Sequence, residues 1–341
     1  MKMDYKIALI YVNGHPNTML LADYLGIKEK YKLTNFYSGS LRNIIKGIKD
    51  TIKLPKGYNV YLVEGNFITL LIAKKLNLIR KDALIIKYLG EPIFYRLLNG
   101  EIRGLKKLFL TYFLKQIDGF VCHGDWQAEL LSRYLPNANK VIVYTPILPK
   151  TYKELKNAKI PKLNSHNLLT IGNDRVKYKG LDISIEAFKM IKKRYKDARL
   201  IVIGKHDKEF IEKNKDINGL EFMGFVPSLL PFIENSSLYI HPSRGEAFGL
   251  SVTEAMLGGL PAIVSDSTGA KTLVKELGKN FIIKTGSSED LYKQIDWYFR
   301  QNYKNRVVLS KKARKIAQKI NPNRVLPKFK TDFYKFIKTL K

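Results

Sequence analysis

Short apolar runs alternate with helical patterns along the first 150 residues. The predicted strands are Ile7–Val12, Val60–Val63, Ala83–Ile86, Gly119–Cys122 and Val141–Tyr144. Helical patterns lie between them, near residues 17–25, 40–52, 67–77, 92–116 and 125–134. This regular alternation predicts an α/β domain whose parallel sheet is covered by helices on both faces. A ligand crevice is then expected beyond the carboxyl ends of the strands.

The alternation stops between Pro146 and Pro161, a stretch with three prolines and no clear period, and then restarts at Leu168–Gly172. We therefore predict two Rossmann-like domains, residues 1–150 and 151–320, joined by a linker. Residues 321–341 form an amphipathic pattern with lysines opposite an apolar stripe. We expect this terminal helix to pack back on the first domain, and the alternative is a surface that faces lipid.

The segment Glu101–Gln116 is basic and apolar at once. Arg103, Lys106 and Lys107 precede the apolar run 108–114. As a helix it is apolar on most faces, which favours burial in the core. A contact with a membrane is the alternative.

The stretch His241–Ala270 reads as a strand, a loop, a short helix and a second strand. The loop opens onto a helix N-terminus, whose backbone N–H groups suit a phosphate or a sugar hydroxyl. Glu246 lies in the loop and Glu254 in the helix, and both could accept hydrogen bonds from pairs of hydroxyls. The alternative is that Glu246 is solvated and Glu254 only favours the helix dipole.

Two more loops follow strands and carry candidate ligand contacts. Residues 172–180 place Arg175, Lys177 and Lys179 beside a predicted helix N-terminus, where cations suit a diphosphate, although a solvated basic loop is the alternative. After the first strand, Gly14 permits close approach of the backbone to a ligand, and His15 is favoured as a solvated turn residue.

The 241–270 stretch resembles the signature of the retaining glycosyltransferase family 4. The matching positions are Pro242-Ser243, Glu246, Phe248-Gly249, Glu254 and Gly259-Leu260-Pro261. The resemblance implies the GT-B fold, in which two Rossmann-like domains face a central cleft. It also implies that the second domain binds the nucleotide sugar and that the first lies on the acceptor side.

The resemblance gives the candidate residues their roles. Glu246 would contact the donor sugar, Glu254 the ribose hydroxyls, and Lys179 with Arg175 the pyrophosphate, Lys177 being the rival of Arg175. The other implied donor contacts are Phe248, Gly249, Leu250, Ser251, Gly172, Gly14, Phe225 and Gly269.

The family often places a histidine after a strand of the first domain. This chain has Tyr88–Pro92 there instead, so Glu91 and His123 are candidate replacements. His15 is a further candidate contact with the sugar or the acceptor.

Composition adds a strong positive charge. The net charge is +30, and residues 301–341 hold 13 Lys or Arg against one acid. A lysine-rich composition throughout explains this, or a surface that meets anionic lipid. The single cysteine, Cys122, excludes an internal disulfide. Since neither a signal peptide nor a membrane span is visible, we expect a cytoplasmic protein, soluble or peripheral at the inner face of the membrane.

The resemblance thus implies a retaining hexosyltransferase that needs neither a cofactor nor a metal. Its co-substrate would be a nucleotide-diphosphate sugar such as UDP-glucose or GDP-mannose, and its acceptor a glycan or lipid-linked hydroxyl. An anionic membrane surface is a candidate partner, and no nucleic acid is expected. The alternatives are a GT-B nucleotide-sugar epimerase and a non-catalytic protein that binds polyanions or anionic lipid. A two-carboxylate glycosidase would leave the phosphate loop without a purpose.

Overall fold

The computed structural model describes residues 5–33, 49–172 and 176–340. Its Cα positions form two compact units. Unit 1 runs to Thr145 and resumes at Asn323, and unit 2 is Pro146–Pro322. The sequence placed these boundaries after residues 150 and 320. The helix predicted over 40–52 lies largely outside the described residues.

Unit 1 contains a six-stranded parallel sheet in the order β2-β1-β3-β4-β5-β6. The strands are β1 Ile7–Tyr11, β2 Glu29–Lys32, β3 Val60–Glu64, β4 Leu84–Tyr88, β5 Gly119–His123 and β6 Lys140–Val143. Five of these strands confirm the apolar runs of the sequence. The strand β2 was missed because it lies at the sheet edge and its residues, Glu-Lys-Tyr-Lys, are mostly charged.

Helices cover both faces of this sheet. They are α1 Pro16–Tyr24, α2 Phe67–Lys75, α3 Ile93–Leu98, α4 Gly104–Leu114, α5 Gly124–Tyr134 and α15 Pro322–Thr339. Apolar residues of α2 to α5 share one core cluster, and those of α1 and α15 share the other. The single helix predicted over 92–116 is two helices, because Gly100, after α3, and Gly104, at the start of α4, adopt positive φ angles of 70° and 58°.

The expectation that the Glu101–Gln116 segment is buried is wrong for half of α4. Leu110, Phe113 and Leu114 are buried against the sheet, but Leu105 and Leu108 are exposed. The reason is geometric: apolar residues occupy two opposite stripes of this helix, and only one stripe can face the sheet.

The terminal helix α15 contributes its apolar stripe to the core of unit 1. Phe329, Phe333 and Ile337 lie in one cluster with Leu9 and Leu62 of the central strands. Among the described residues, no helix is both long enough and apolar enough to cross a membrane.

Unit 2 repeats the architecture with a parallel sheet in the order β12-β11-β10-β7-β8-β9. Its strands are β7 Asn167–Ile171, β8 Arg199–Ile203, β9 Leu220–Gly224, β10 Leu238–His241, β11 Ala262–Ser265 and β12 Ile282–Ile283. Its helices are α6 Pro149–Lys156, α7 Val176–Lys179, α8 Leu181–Arg194, α9 Lys208–Asn214, α10 Leu230–Glu234, α11 Leu250–Leu257, α12 Lys271–Val274, α13 Ser288–Phe299 and α14 Tyr303–Ala317.

In each sheet the order in which successive strands are added reverses once. In unit 1 the strand order reverses between β1 and β3, and in unit 2 between β7 and β10. Loops after such neighbouring strands diverge and leave a crevice at the carboxyl edge, where open α/β sheets bind ligands. Both Rossmann-like units therefore present a candidate site at their switch points.

Candidate active site

A lysine and a glutamate meet at the switch point of unit 2. Lys179 ends α7 in the connection after β7, and Glu246 lies in the loop after β10. The Nζ of Lys179 donates a hydrogen bond to Oε2 of Glu246. The imidazole of His241, at the end of β10, lies with Nε2 3.8 Å from the same oxygen. The structure therefore joins two of the predicted residues, which are 67 positions apart in the chain.

The charges in this cluster are set by burial and by one another. Burial raises the pKa of Glu246, but the Lys179 ammonium and the His241 ring outweigh it, and the pKa falls to about 2. Burial lowers the pKa of His241, against a smaller opposing effect of Glu246. At neutral pH the site therefore holds a carboxylate and a neutral imidazole beside the lysine.

Close backbone packing brings the two loops together. A Cβ on Gly180 would lie 2.0 Å from the carbonyl oxygen of Pro242, so only glycine fits at this corner. Next to it, the Arg244 guanidinium binds both carboxylate oxygens of Asp182 at 2.7 Å. The Arg244 backbone N–H also donates to the carbonyl of Tyr178 at 2.8 Å. Arg244 and Asp182 position the loop of Lys179. Neither residue stands out in the sequence, because Arg244 and Asp182 are brought together only by the fold.

The helix α11 begins at this site with a glycine. Gly249 has a φ of 90°, and no side chain caps the first turn. Its loop is fixed from the other side by the 265–270 turn. The Gly269 N–H donates to the carbonyl of Glu246 at 2.9 Å, and a Cβ on Gly269 would lie 2.2 Å from the carbonyl oxygen of Ala247. The predicted roles of Gly249 and Gly269 are thus compatible with their backbone geometry, which leaves helix N–H groups for an anion.

Other predicted donor residues surround α11. Burial raises the pKa of Glu254 to about 7, so this carboxyl titrates near neutrality. The Ser251 hydroxyl accepts a hydrogen bond from Tyr239 at 2.9 Å, and Leu250 is half-buried. Phe248 is buried, and its carbonyl oxygen accepts a hydrogen bond from the Ala270 N–H.

The remaining predicted donor contacts are less connected to this cluster. Gly172 lies at the end of β7, where an added Cβ would be 3.5 Å from the His206 ring. Phe225 is 87% exposed directly after β9. Arg175 lies outside the described residues, whereas its rival Lys177 is described and gives its carbonyl oxygen to Arg244.

The candidate residues of unit 1 lie along the carboxyl edge of its sheet: Gly14 and His15 after β1, Glu91 after β4 and His123 at the end of β5. His15 precedes α1 and its Nδ1 accepts from the Asn17 N–H at 3.3 Å, which makes it the N-cap beside Gly14. His123 is buried at the end of β5 and is hydrogen-bonded through Nδ1 to Thr145. Burial, and next the proximity of His15, lowers the pKa of His123 to about 3.

This edge also holds charged residues that the sequence analysis missed. Lys87 is buried at the end of β4, its Nζ donates to the Gly65 carbonyl at 3.2 Å, and burial lowers its pKa to about 8 despite the charges of Glu91 and Glu64. Burial raises the pKa of Glu64 against hydrogen bonds from the backbone of His15. Lys87 sits inside an apolar strand run, so its spacing carried no sign of a site.

Comparisons with known proteins agree with this architecture. Residues 153–316 match the family model of glycosyl transferases group 1. An uncharacterized glycosyltransferase of Haemophilus influenzae is 23% identical over 96% of this chain and 91% of its own length. A phosphatidyl-myo-inositol mannosyltransferase of Mycobacterium leprae is 23% identical over 38% of this chain and 36% of its own. The crystal structure of HepE from Anabaena, in complex with UDP and glucose, superposes with a TM-score of 0.71 at 16% identity, covering 98% of this chain and 99% of that one.

The two switch-point sites and the paired Rossmann-like units define a protein of the GT-B class. The group 1 match covers most of unit 2, and the relative that is similar over nearly the whole chain is a glycosyltransferase, so the chain is a glycosyltransferase whose second unit is similar to group 1.

Proposed function

We propose that this glycosyltransferase moves a hexose, with retention of anomeric configuration and without a metal ion, from a nucleotide-diphosphate sugar to a hydroxyl acceptor. The observation that carries the proposal is the Lys179–Glu246 pair beside the uncapped start of α11. This arrangement offers a cation, a carboxylate and backbone N–H groups within one loop cluster.

The chemistry follows from where charge develops. Breaking the bond between the anomeric carbon and the diphosphate leaves negative charge on the leaving group, which fixed positive groups stabilise. The Lys179 ammonium and the N–H groups at the start of α11 supply positive charge there, the task that a divalent cation performs elsewhere. Glu246 stays ionised and accepts hydrogen bonds from sugar hydroxyls. Glu254, whose pKa is about 7, accepts hydrogen bonds from the pair of vicinal ribose hydroxyls when it is ionised.

Donor binding exchanges partners within this cluster. Without donor, Lys179 is neutralised by Glu246. We expect the diphosphate to attract the ammonium, while the sugar hydroxyls take its place on the carboxylate. The solved structure of HepE carries UDP and glucose, which makes UDP-glucose the first donor to test, with GDP-mannose second.

The acceptor belongs to unit 1 in this proposal. Polar groups at the carboxyl edge of its sheet, among them the buried Lys87 and His123 and the half-buried Glu64, can donate hydrogen bonds to and accept them from sugar hydroxyls. A relative whose name specifies a phosphatidylinositol acceptor supports a lipid-linked acceptor, and a glycan acceptor is the other candidate.

The test is a thermal-shift screen of the full chain against UDP, GDP, ADP and their sugar conjugates. Selective stabilisation by one nucleotide sugar supports the proposal, because a ligand that binds only the native state raises the apparent stability. Lys179→Ala should remove the shift and abolish transfer. Lys189→Ala is the matched control, because Lys189 pairs with Glu186 on the exposed face of α8. No shift with any nucleotide, or turnover of the donor into an epimer without acceptor, overturns the proposal. Proton NMR of the product assigns its anomer, and transfer in EDTA tests the metal independence.

A further inference from the structure

One helix of unit 1 turns large apolar side chains to the solvent. Leu105 is 84% exposed, Leu108 68%, Phe109 56% and Tyr112 56%. They stand at i, i+3, i+4 and i+7 of α4, so they form one continuous stripe about 10 Å long. These four residues are the α4 face. The opposite stripe of the same helix is buried in the core of unit 1.

The neighbouring helix α2 extends the α4 face. The Lys75 Nζ donates to the Tyr112 hydroxyl at 3.0 Å and lies 5.0 Å from the centre of its ring. Leu76, the residue after α2, is 62% exposed beside it, and Ile72 of α2 is 39% exposed. The exposed apolar surface therefore spans two helices, whereas scattered exposed apolar residues would need no explanation.

The charges around the α4 face have one sign. From Ile102 to Ile117 the chain contains four basic residues and no acid. Three of them are exposed, namely Arg103, Lys106 and Lys115. The fourth, Lys107, is half-buried, and its Nζ lies 5.8 Å from the centre of the Tyr134 ring. The acids at either end are engaged: Glu101 with Arg96 at 3.2 Å, and Asp118 with the Ile85 N–H at 2.7 Å.

We propose that the α4 face docks the protein on an anionic lipid bilayer. Apolar side chains in a single stripe can enter the boundary between headgroups and acyl chains, which is about 5–10 Å deep for such helices. The flanking lysines and arginine keep their charges at the level of anionic headgroups. Tyr112 presents an apolar ring and a polar hydroxyl, a pattern typical of membrane interfaces.

A bilayer explains these features better than a protein partner does. A protein interface of this chemistry would need acidic groups placed to match the three exposed cations beside a convex stripe. A second copy of this chain is disfavoured because its own α4 face carries the same positive charge. The docking on a bilayer is argued without the proposed function. Only its biological purpose, bringing the enzyme to a lipid-linked acceptor, rests on that function.

The experiment measures binding of the full chain to vesicles, with neither donor nor acceptor present. Vesicles of equal parts phosphatidylglycerol and phosphatidylcholine are compared with phosphatidylcholine alone in a sedimentation assay. The variants are L108Q/F109Q for the apolar stripe and K106E/K115E for the charge, because Lys106 and Lys115 are both exposed. Their matched controls are I160Q/V308Q, at exposed apolar positions of unit 2, and K335E/K338E, on the opposite face of the unit 1 sheet.

We expect binding to the anionic vesicles only, and a fall in affinity of about tenfold or more in L108Q/F109Q and in K106E/K115E. Both controls should bind nearly as the parent does, and all variants should keep their far-UV circular dichroism. Binding that survives L108Q/F109Q, or that K335E/K338E weakens equally, overturns the inference. So does a concentration-dependent dimer, seen by light scattering, that L108Q/F109Q abolishes while vesicle binding is absent. Donor binding is measured separately in the thermal-shift screen. A negative result there would contradict the proposed function and would not change the interpretation of vesicle binding.

Discussion

Replacing Lys179 by methionine should change both the stability of unit 2 and its dependence on pH. The substitution keeps the aliphatic stem and removes the ammonium that pairs with Glu246. The Glu246 carboxylate then stays mostly buried without its principal counter-charge. Removing one partner of a buried ion pair costs about 3–5 kcal/mol in general, because the remaining charge is uncompensated.

The pKa of Glu246 gives a second, independent value for the stability that the ion pair contributes. Its lowering from 4.5 to about 2 corresponds to about 3 kcal/mol of native-state stability, at about 1.4 kcal/mol per pH unit. A depressed pKa contributes stability above 4.5 that is lost as the pH falls toward 2. In Lys179→Met the largest charge that opposes burial is gone, so the pKa of Glu246 rises and this contribution to stability shrinks. The variant should then gain stability as the pH falls from about 7 to about 5, because Glu246 or His241 takes up a proton.

The assay is thermal and urea unfolding of the parent, Lys179→Met, and Lys179→Met/Glu246→Gln at pH 7 and pH 5. For a unit of this size the single variant should lose roughly 6–12 °C in Tm at pH 7. The double variant should recover most of that loss, since no unpaired charge remains. Lys189→Met, which breaks an exposed pair on α8, should change the unfolding free energy by less than about 1 kcal/mol. A Tm of Lys179→Met within 1 °C of the parent at both pH values would refute this reasoning.

Three further predictions concern the donor loop. Gly249→Ala should weaken nucleotide-sugar binding by about tenfold or more in calorimetry, because Gly249 has a φ of 90° and an added Cβ would lie 3.1 Å from the Thr268 side chain. The control is Gly286→Ala, which has a φ of 87° but open space around the Cβ and should lose only about 1 kcal/mol of stability. Equal losses of binding in the two variants would contradict the role of this crowding. Nucleotide affinity should rise as the pH passes upward through about 7, where Glu254 ionises, and Glu254→Gln should flatten that profile. Arg244→Ala should raise the KM for the donor with a smaller effect on kcat, since Arg244 touches the loop of Lys179 and not the reacting atoms; an unchanged KM would count against a positioning role.

Most of the fold could be predicted from the sequence, because residues buried in helices and strands are apolar and recur at a regular spacing. Parallel strands covered on both faces are continuous apolar runs, and five of them in unit 1 were found to within about two residues at each end. The edge strand β2 escaped because a strand with charged residues on its solvated sides has no such run. A single helix was predicted over residues 92–116 because the apolar pattern continues across Gly100 and Gly104, where the structure has the break between two helices.

The same distinction applies to the site. The order of Pro242-Ser243, Glu246, Gly249 and Glu254 is local, and a local motif can be read from the chain. Arg244 lies inside that motif, but its partner Asp182 is 62 positions away, so its positioning role became visible only in the fold.

The sequence by itself determined the alternation of strands and helices, the two-unit organisation and the glycosyltransferase motif, since all of these depend on neighbours along the chain. Only the tertiary structure decided that Lys179 neutralises Glu246, that Lys87 is buried at the edge of the unit 1 sheet, and that half of the apolar surface of α4 faces solvent. The physical reason is that charge pairing and exposure depend on which surfaces are brought together. When a helix has two apolar stripes, its own sequence does not show which of them packs against the sheet.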